Sequence, residues 1–364
     1  MKGFKISLLF IVILSAFALM TGCELWDKDN EESSSSGAPT SVNLPKTGQT
    51  TSYATGDDGD LEKGVAWPSP RFTVGTGQEA DCVTDNLTGL MWVKAPDSNL
   101  RTWDNALTYA NGLSLCGYDD WRLPNRKELR SLIDYANYNL ALPTGHPFTN
   151  VQAVYYWSST TYAYFTPFAW YVDANGGGVY AVSKAANGYV WPVRAGGGGT
   201  VELPRTGQTT CYDVNGSVIS CAGTGQDGEK QAGVHWPSPR FTASGDCVTD
   251  NLTGLMWVKA PDSTRRTWDI ALTYANGLTL CGYDDWRLPN INELESLVNA
   301  QEADTATWLN TQGFTNVQPH YYWSSTTYAS DTIRAWGVVD MDTGGVGADI
   351  KVNTYFVLPV RAGQ

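Results

Sequence analysis

Histidine is nearly absent from this chain, with three copies in 364 residues, and no Cys-x-x-Cys pair occurs. Neither a histidine-rich metal centre nor a redox dithiol is therefore encoded at the usual spacings. Positive charge is also short: 24 Lys and Arg stand against 37 Asp and Glu, for a formal net charge of −13. That balance argues against nucleic acid as a partner and against nonspecific adsorption to anionic surfaces. Long apolar runs are missing too, apart from Ile6–Met20, which is too short to span a bilayer.

What is present begins with that run. Lys2 and Lys5 precede it and Leu19-Met20-Thr21-Gly22-Cys23 closes it, a sequence that resembles the lipobox of bacterial lipoproteins. The resemblance implies a signal peptide at 1–22, cleavage before Cys23, and lipidation of its thiol. The expected location is the cell envelope, with the outer membrane as the expected bilayer, and contact with that membrane runs through the lipid. Residues 23–43 are rich in Asp, Glu and Ser, including Ser33–Ser36, and read as a solvated tether.

The remainder is one sequence written twice. Cys82–Ser98 recurs letter for letter at Cys247–Ser263, and GYDDWRLPN at 117–125 recurs at 282–290. The expected layout is a first domain at 44–196, a Gly-rich linker at 197–202 and a second domain at 203–364. Each domain is expected to fold alone. In the first copy Thr102 is placed to cap a helix whose buried face is Trp103, Ala106, Leu107 and Ala110. Asn125 and Glu128 form a capping-box pattern ahead of Leu129, Leu132 and Ile133. Aromatic and β-branched segments follow at 155–157, 170–173, 179–182 and 189–194, separated by glycines. The class is α+β.

Removing Cys23 leaves six cysteines, an even number in an exported protein. Cys82 and Cys116 are 34 positions apart, as are Cys247 and Cys281, which predicts one bridge per copy. Cys211 and Cys221 occur only in the second copy and are paired with each other.

GYDDWRLPN, YYWSST and PVRAG together resemble the domain at the C-terminus of a Legionella collagen-like adhesin. The resemblance implies a C-type-lectin-like fold, with two helices on a small irregular antiparallel sheet, present twice. It also implies adhesin-like, non-enzymatic binding of a glycan or an extracellular protein. No Gly-X-Y repeat precedes the domains, so a collagen stalk is not implied, and the net negative charge disfavours sulfated glycans.

Several residues invite chemical readings. Arg122 is expected to pair with Asp119 or Asp120, and Arg287 with Asp284 or Asp285, beside the core tryptophans Trp121 and Trp286. Ser158 and Ser159 lack a matched histidine, because His146, His235 and His320 do not correspond between copies. Asp57, Asp58 and Asp60 are candidate Ca²⁺ ligands in a glycine-punctuated loop, although no EF-hand spacing is present; no other cofactor is expected. Arg126 with Lys127 and Arg265 with Arg266 are the basic pairs. Binding is expected where the copies diverge, at 137–146 against 301–312 and 163–168 against 329–334. Tyr162, Trp170, Tyr171, Tyr328 and Trp336 border those stretches and are the candidate ligand-stacking aromatics. A structural envelope lipoprotein, or an enzyme related to formylglycine-generating oxidases, are the alternatives.

Overall fold

The computed structural model describes residues 41–339 and 341–363; Cys23, the signal run and nearly all of the tether lie outside them. In chain order the elements are α1 (Asp58–Leu61), β1 (Phe72–Val74), β2 (Cys82–Asp85), β3 (Met91–Val93), α2 (Trp103–Asn111), α3 (Arg126–Arg130), β4 (Tyr155–Thr161), β5 (Phe168–Asp173), β6 (Val179–Ser183) and β7 (Val193–Arg194). The second copy adds a hairpin, β8 (Cys211–Tyr212) and β9 (Val218–Ile219), before α4 (Asp227–Lys230). It then repeats the order: β10 (Phe241–Ser244), β11 (Cys247–Asp250), β12 (Met256–Val258), α5 (Trp268–Asn276), α6 (Ile291–Ser296), α7 (Thr305–Thr311), β13 (Tyr322–Thr327), β14 (Arg334–Val339), β15 (Gly345–Ile350) and β16 (Val360–Arg361).

Helix periodicity places α2 and α5 as expected, with Trp103, Ala106, Leu107 and Ala110 buried, although Thr102 makes no side-chain cap bond. The second helix of each copy is set by its cap. Asn125 accepts from Lys127 N and Glu128 N while Glu128 returns to Asn125 N, and Asn290 and Glu293 repeat the box. Each copy closes its own four-stranded antiparallel sheet, β1-β2-β3-β7 and β10-β11-β12-β16. The Cys82–Cys116, Cys211–Cys221 and Cys247–Cys281 bridges all form, and none crosses between copies.

The remaining strands depart from the expectation of two self-sufficient domains. They build a single six-stranded sheet, ordered β13-β14-β15-β6-β5-β4, whose halves join where Val346 pairs with Val179. Beneath the junction, Tyr135 of the first copy meets Trp336 of the second at 5.3 Å, inside one continuous buried cluster. The described residues accordingly form one compact unit.

Two straps reinforce the junction. Residues 42–65 precede the first copy, yet they bond to the second: Val42 N donates to Leu252 O, and Asn290 Nδ2 donates to Lys63 O. Gln49 pairs with the backbone of Thr327 in both directions, at 2.8 and 2.9 Å. Residues 201–234 do the converse. Val201 N donates to Leu87 O, Asn125 Nδ2 to Ala232 O, and Gln208 pairs with the Thr161 backbone at 2.8 Å in both directions. The shared Thr-Gly-Gln of each strap is required there. Gly48 has φ +96°, and a Cβ on it would sit 2.1 Å from an Asp134 carboxylate oxygen. Gly207 is equally confined, against Asn299. The glycines expected to be a loose joint are partly seated, since Gly196 and Gly199 lie against the 88–89 turn, whereas Gly197 and Gly198 face open space.

Candidate functional site

Each strap ends in a buried carboxylate clasp. Asp58 Oδ2 accepts from Thr47 Oγ1 at 2.6 Å on its own strap and from Thr326 Oγ1 at 2.7 Å on the second copy. Asp227 Oδ2 accepts from Thr206 and from Thr160 of the first copy, at 2.6 and 2.7 Å. Burial pushes the Asp58 carboxyl up to about 7 and the Asp227 carboxyl up to about 6, against the lowering effect of those hydroxyl donors.

These aspartates therefore serve the seam, and the Ca²⁺ expectation is corrected. Asp57 caps α1 and accepts from Tyr53 N, Ala54 N and Asp60 N, while Asp60 accepts from Gly56 N. The three carboxylates do not converge, and among the described residues no cluster of three or more His, Cys, Asp or Glu could hold a metal ion.

The arginine expectation is corrected as well. Arg122 grips Glu128 through two bonds of 2.6 and 2.5 Å, because the capping box swings that carboxylate back toward the segment preceding the helix. Burial is the largest influence on the Arg122 guanidinium and lowers its pKa, but Glu128 carries it above its ordinary range. Asp120 is instead taken by Arg194, which lies 3.7 Å over the Tyr118 ring. Arg287 with Glu293 and Arg361 with Asp285 repeat both pairs. Trp121 and Trp286 are core residues, as expected.

Between each strap and the copy that it crosses lies a cleft, and eight lining residues of the first recur at the equivalent positions of the second. The first, of about 620 Å³, is lined by Thr88, Leu90, Arg122, Glu128 and Ala195, with Leu203, Gly233 and Val234 from the strap. The second places Thr253, Leu255, Arg287, Glu293 and Ala362 against Leu44, Gly64 and Val65. It comprises compartments of about 230 and 380 Å³ that share Lys63, Arg287 and Ala362. The Arg–Glu pair floors each cleft, and each volume falls within or near the range of small-molecule pockets. The rims differ: exposed Glu202 and His235 stand on the first, exposed Asn43 and Lys63 on the second.

Most of the candidate stacking aromatics are packed into the interior. Trp170 and Trp336 are 2% exposed; Tyr162 lies edge-on to Trp170 at 4.9 Å and Tyr328 edge-on to Trp336 at 5.1 Å. Tyr171 alone belongs to a more open band, between Tyr155 at 4.7 Å and exposed Tyr180 at 6.0 Å. Within the divergent stretches 137–146 and 163–168, the exposed aromatics are Tyr138, Tyr164 and Phe165, which the sequence did not single out. The divergent stretches are also less superficial than expected, because Ala141, Leu142, Ala306 and Leu309 within them are buried. Ser158 is buried and donates to Trp170 O, and Ser324 to Trp336 O. Arg126 and Lys127 are buried and form no surface patch. Arg265 lies over Phe356 and Arg266 bonds Asp262.

A fused pair of α+β domains, with floors, caps and closing strands repeated in each, is the class of molecule that this geometry defines. The Lcl C-terminal domain family matches residues 81–194 and 246–361, more than half of the chain, and the protein belongs to that family. Both matches leave the straps outside. No curated protein and no solved structure matches the chain.

Proposed function

We propose that the chain is an exported, lipid-tethered binding protein that recognises an extracellular glycan or protein through its two strap-bounded clefts. The observation that supports this most is the construction of the same cleft twice, with unlike rims on a like floor. Two linked sites gain avidity through effective concentration, which gives the duplication a physical purpose. A C-type-lectin-like arrangement, with short helices on an irregular antiparallel sheet, is the fold to which we assign each copy. The reading is non-enzymatic. A formylglycine-type oxidase needs a reactive cysteine pair, and the six cysteines after Cys23 are bound in disulfides. The lipobox-like run ending at Cys23 supports the lipid anchor; among the described residues no helix is long and apolar enough to cross a membrane.

Arrays of glycans and extracellular-matrix proteins probed with the full chain test this reading. Ala195 and Ala362 are exposed at the cleft mouths, so Ala195→Trp and Ala362→Trp fill the clefts while sparing the core. Each is expected to weaken binding at least tenfold at its own cleft with Tm unchanged. Array binding that survives the double substitution would remove the clefts from the function, and an array without hits would favour a structural envelope role.

A further inference from the structure

Helices α3 and α6 occupy equivalent places and meet across the seam, but they bring unlike charges to it. The first offers Arg126, Lys127 and Arg130 where the second offers Ile291, Asn292 and Glu295. Glu295 faces Arg126 at 3.4 Å and Arg130 at 3.3 Å, so one carboxylate answers two guanidinium groups. Arg130 is completed by Asn292 Oδ1 at 2.8 Å and the Tyr135 hydroxyl at 2.9 Å. Arg126 donates to Gly344 O at 2.6 Å and lies over the Trp170 ring, but its Nε and Nη1 are buried without hydrogen-bond partners. Lys127 is 6% exposed, and its Nζ has no partner either. The next cation, Arg240, already has Asp250 at 3.2 Å and Ser296 O at 2.7 Å.

Three cations thus share one carboxylate in the interior. A cavity of about 40 Å³ opens beside them, lined by Lys127, Arg130, Asn292, Ser296 and Glu295 itself and flanked by the strap prolines Pro45 and Pro204. That is room for roughly three water-sized spheres, too little for an organic acid. Buried charge is strongly disfavoured unless it is paired. We propose that this cavity binds a small inorganic monoanion, of which chloride is the representative, held by Lys127 Nζ and by the surplus positive charge of α3. Burial lowers the Lys127 ammonium to about 8, with Glu295 opposing, so it keeps its proton at neutral pH. The anion neutralises part of the seam and holds the two copies together.

The test uses the full chain prepared without halide. Thermal unfolding is followed as gluconate is replaced by chloride, then by bromide, at constant ionic strength. A saturable rise in Tm of a few degrees is expected. Crystals grown in bromide are expected to show an anomalous peak within hydrogen-bond distance of Lys127 Nζ. Lys127→Met is expected to abolish both the peak and the halide dependence; if that variant does not fold, the wild-type peak decides. A Tm indifferent to halide, water alone at the site, or a peak without any Tm effect (an adventitious ion only) would each overturn the proposal.

Discussion

Replacing Gln49 with alanine tests the strap directly. The Gln49 amide supplies both an acceptor for Thr327 N and a donor to Thr327 O, and all of these groups are buried. Truncation leaves a backbone N–H and C=O without partners in a place closed to water. Each orphaned group costs about 1–3 kcal/mol, so the expected loss is on the order of 2–6 kcal/mol. For a unit of this size, about 2 °C accompanies each kcal/mol, which gives a fall in Tm of about 4–12 °C. Gln208→Ala should do the same, because Gln208 makes the equivalent pair with Thr161. The assay is calorimetry of the oxidised full chain, and both variants should still unfold in one transition. A shift below about 1 °C, or a split into two transitions with one half unaffected, would refute the idea that the straps tie the copies together.

Other outcomes follow from the same structure. Asp58 and Asp227 hold their protons to about 7 and about 6 in the fold, against an ordinary value of 3.8. The unfolded chain releases those protons first, so the two clasps should make stability decline by a few kcal/mol from pH 4 to pH 7 and level off above. Asp58→Asn with Asp227→Asn should flatten that slope in denaturant titrations; an unchanged slope would show that the clasps do not titrate. Trp121→Ala should cost about 3–5 kcal/mol by opening a core cavity, read as a shift in urea midpoint without a new binding phenotype. Cys23→Ser should release the protein from membranes and block maturation; normal membrane fractionation would contradict lipid anchorage.

Local order is legible in the sequence because local rules produce it. The capping boxes at Asn125 and Asn290, the buried face of α2 and the equal cysteine spacings each depend on residues close in the chain or copied within it. The seam is not legible, because two nearly identical segments can be seated on either copy and periodicity does not distinguish the choices. The repeated Leu-Pro-x-Thr-Gly-Gln at 44–49 and 203–208 is the available signal, since a segment that merely links domains has no reason to be repeated. Proximity in sequence points Arg122 to the neighbouring aspartates, whereas the capping box delivers Glu128 to it from the following helix. Trp170 and Trp336 border divergent stretches in sequence, yet they are buried because the shared sheet places them beneath α3 and against Tyr135. The clefts draw on both copies, so neither repeat taken alone contains one.

The most direct measurement is to nick the chain. A protease site inserted between Gly197 and Gly198, where an added Cβ would meet nothing within 4 Å, can be cut without disturbing either strap. Among the described residues no disulfide joins the two resulting fragments. After cleavage, gel filtration in native buffer should show one particle of unchanged size, separating into halves only in denaturant. Two folded halves that part in native buffer would contradict the account.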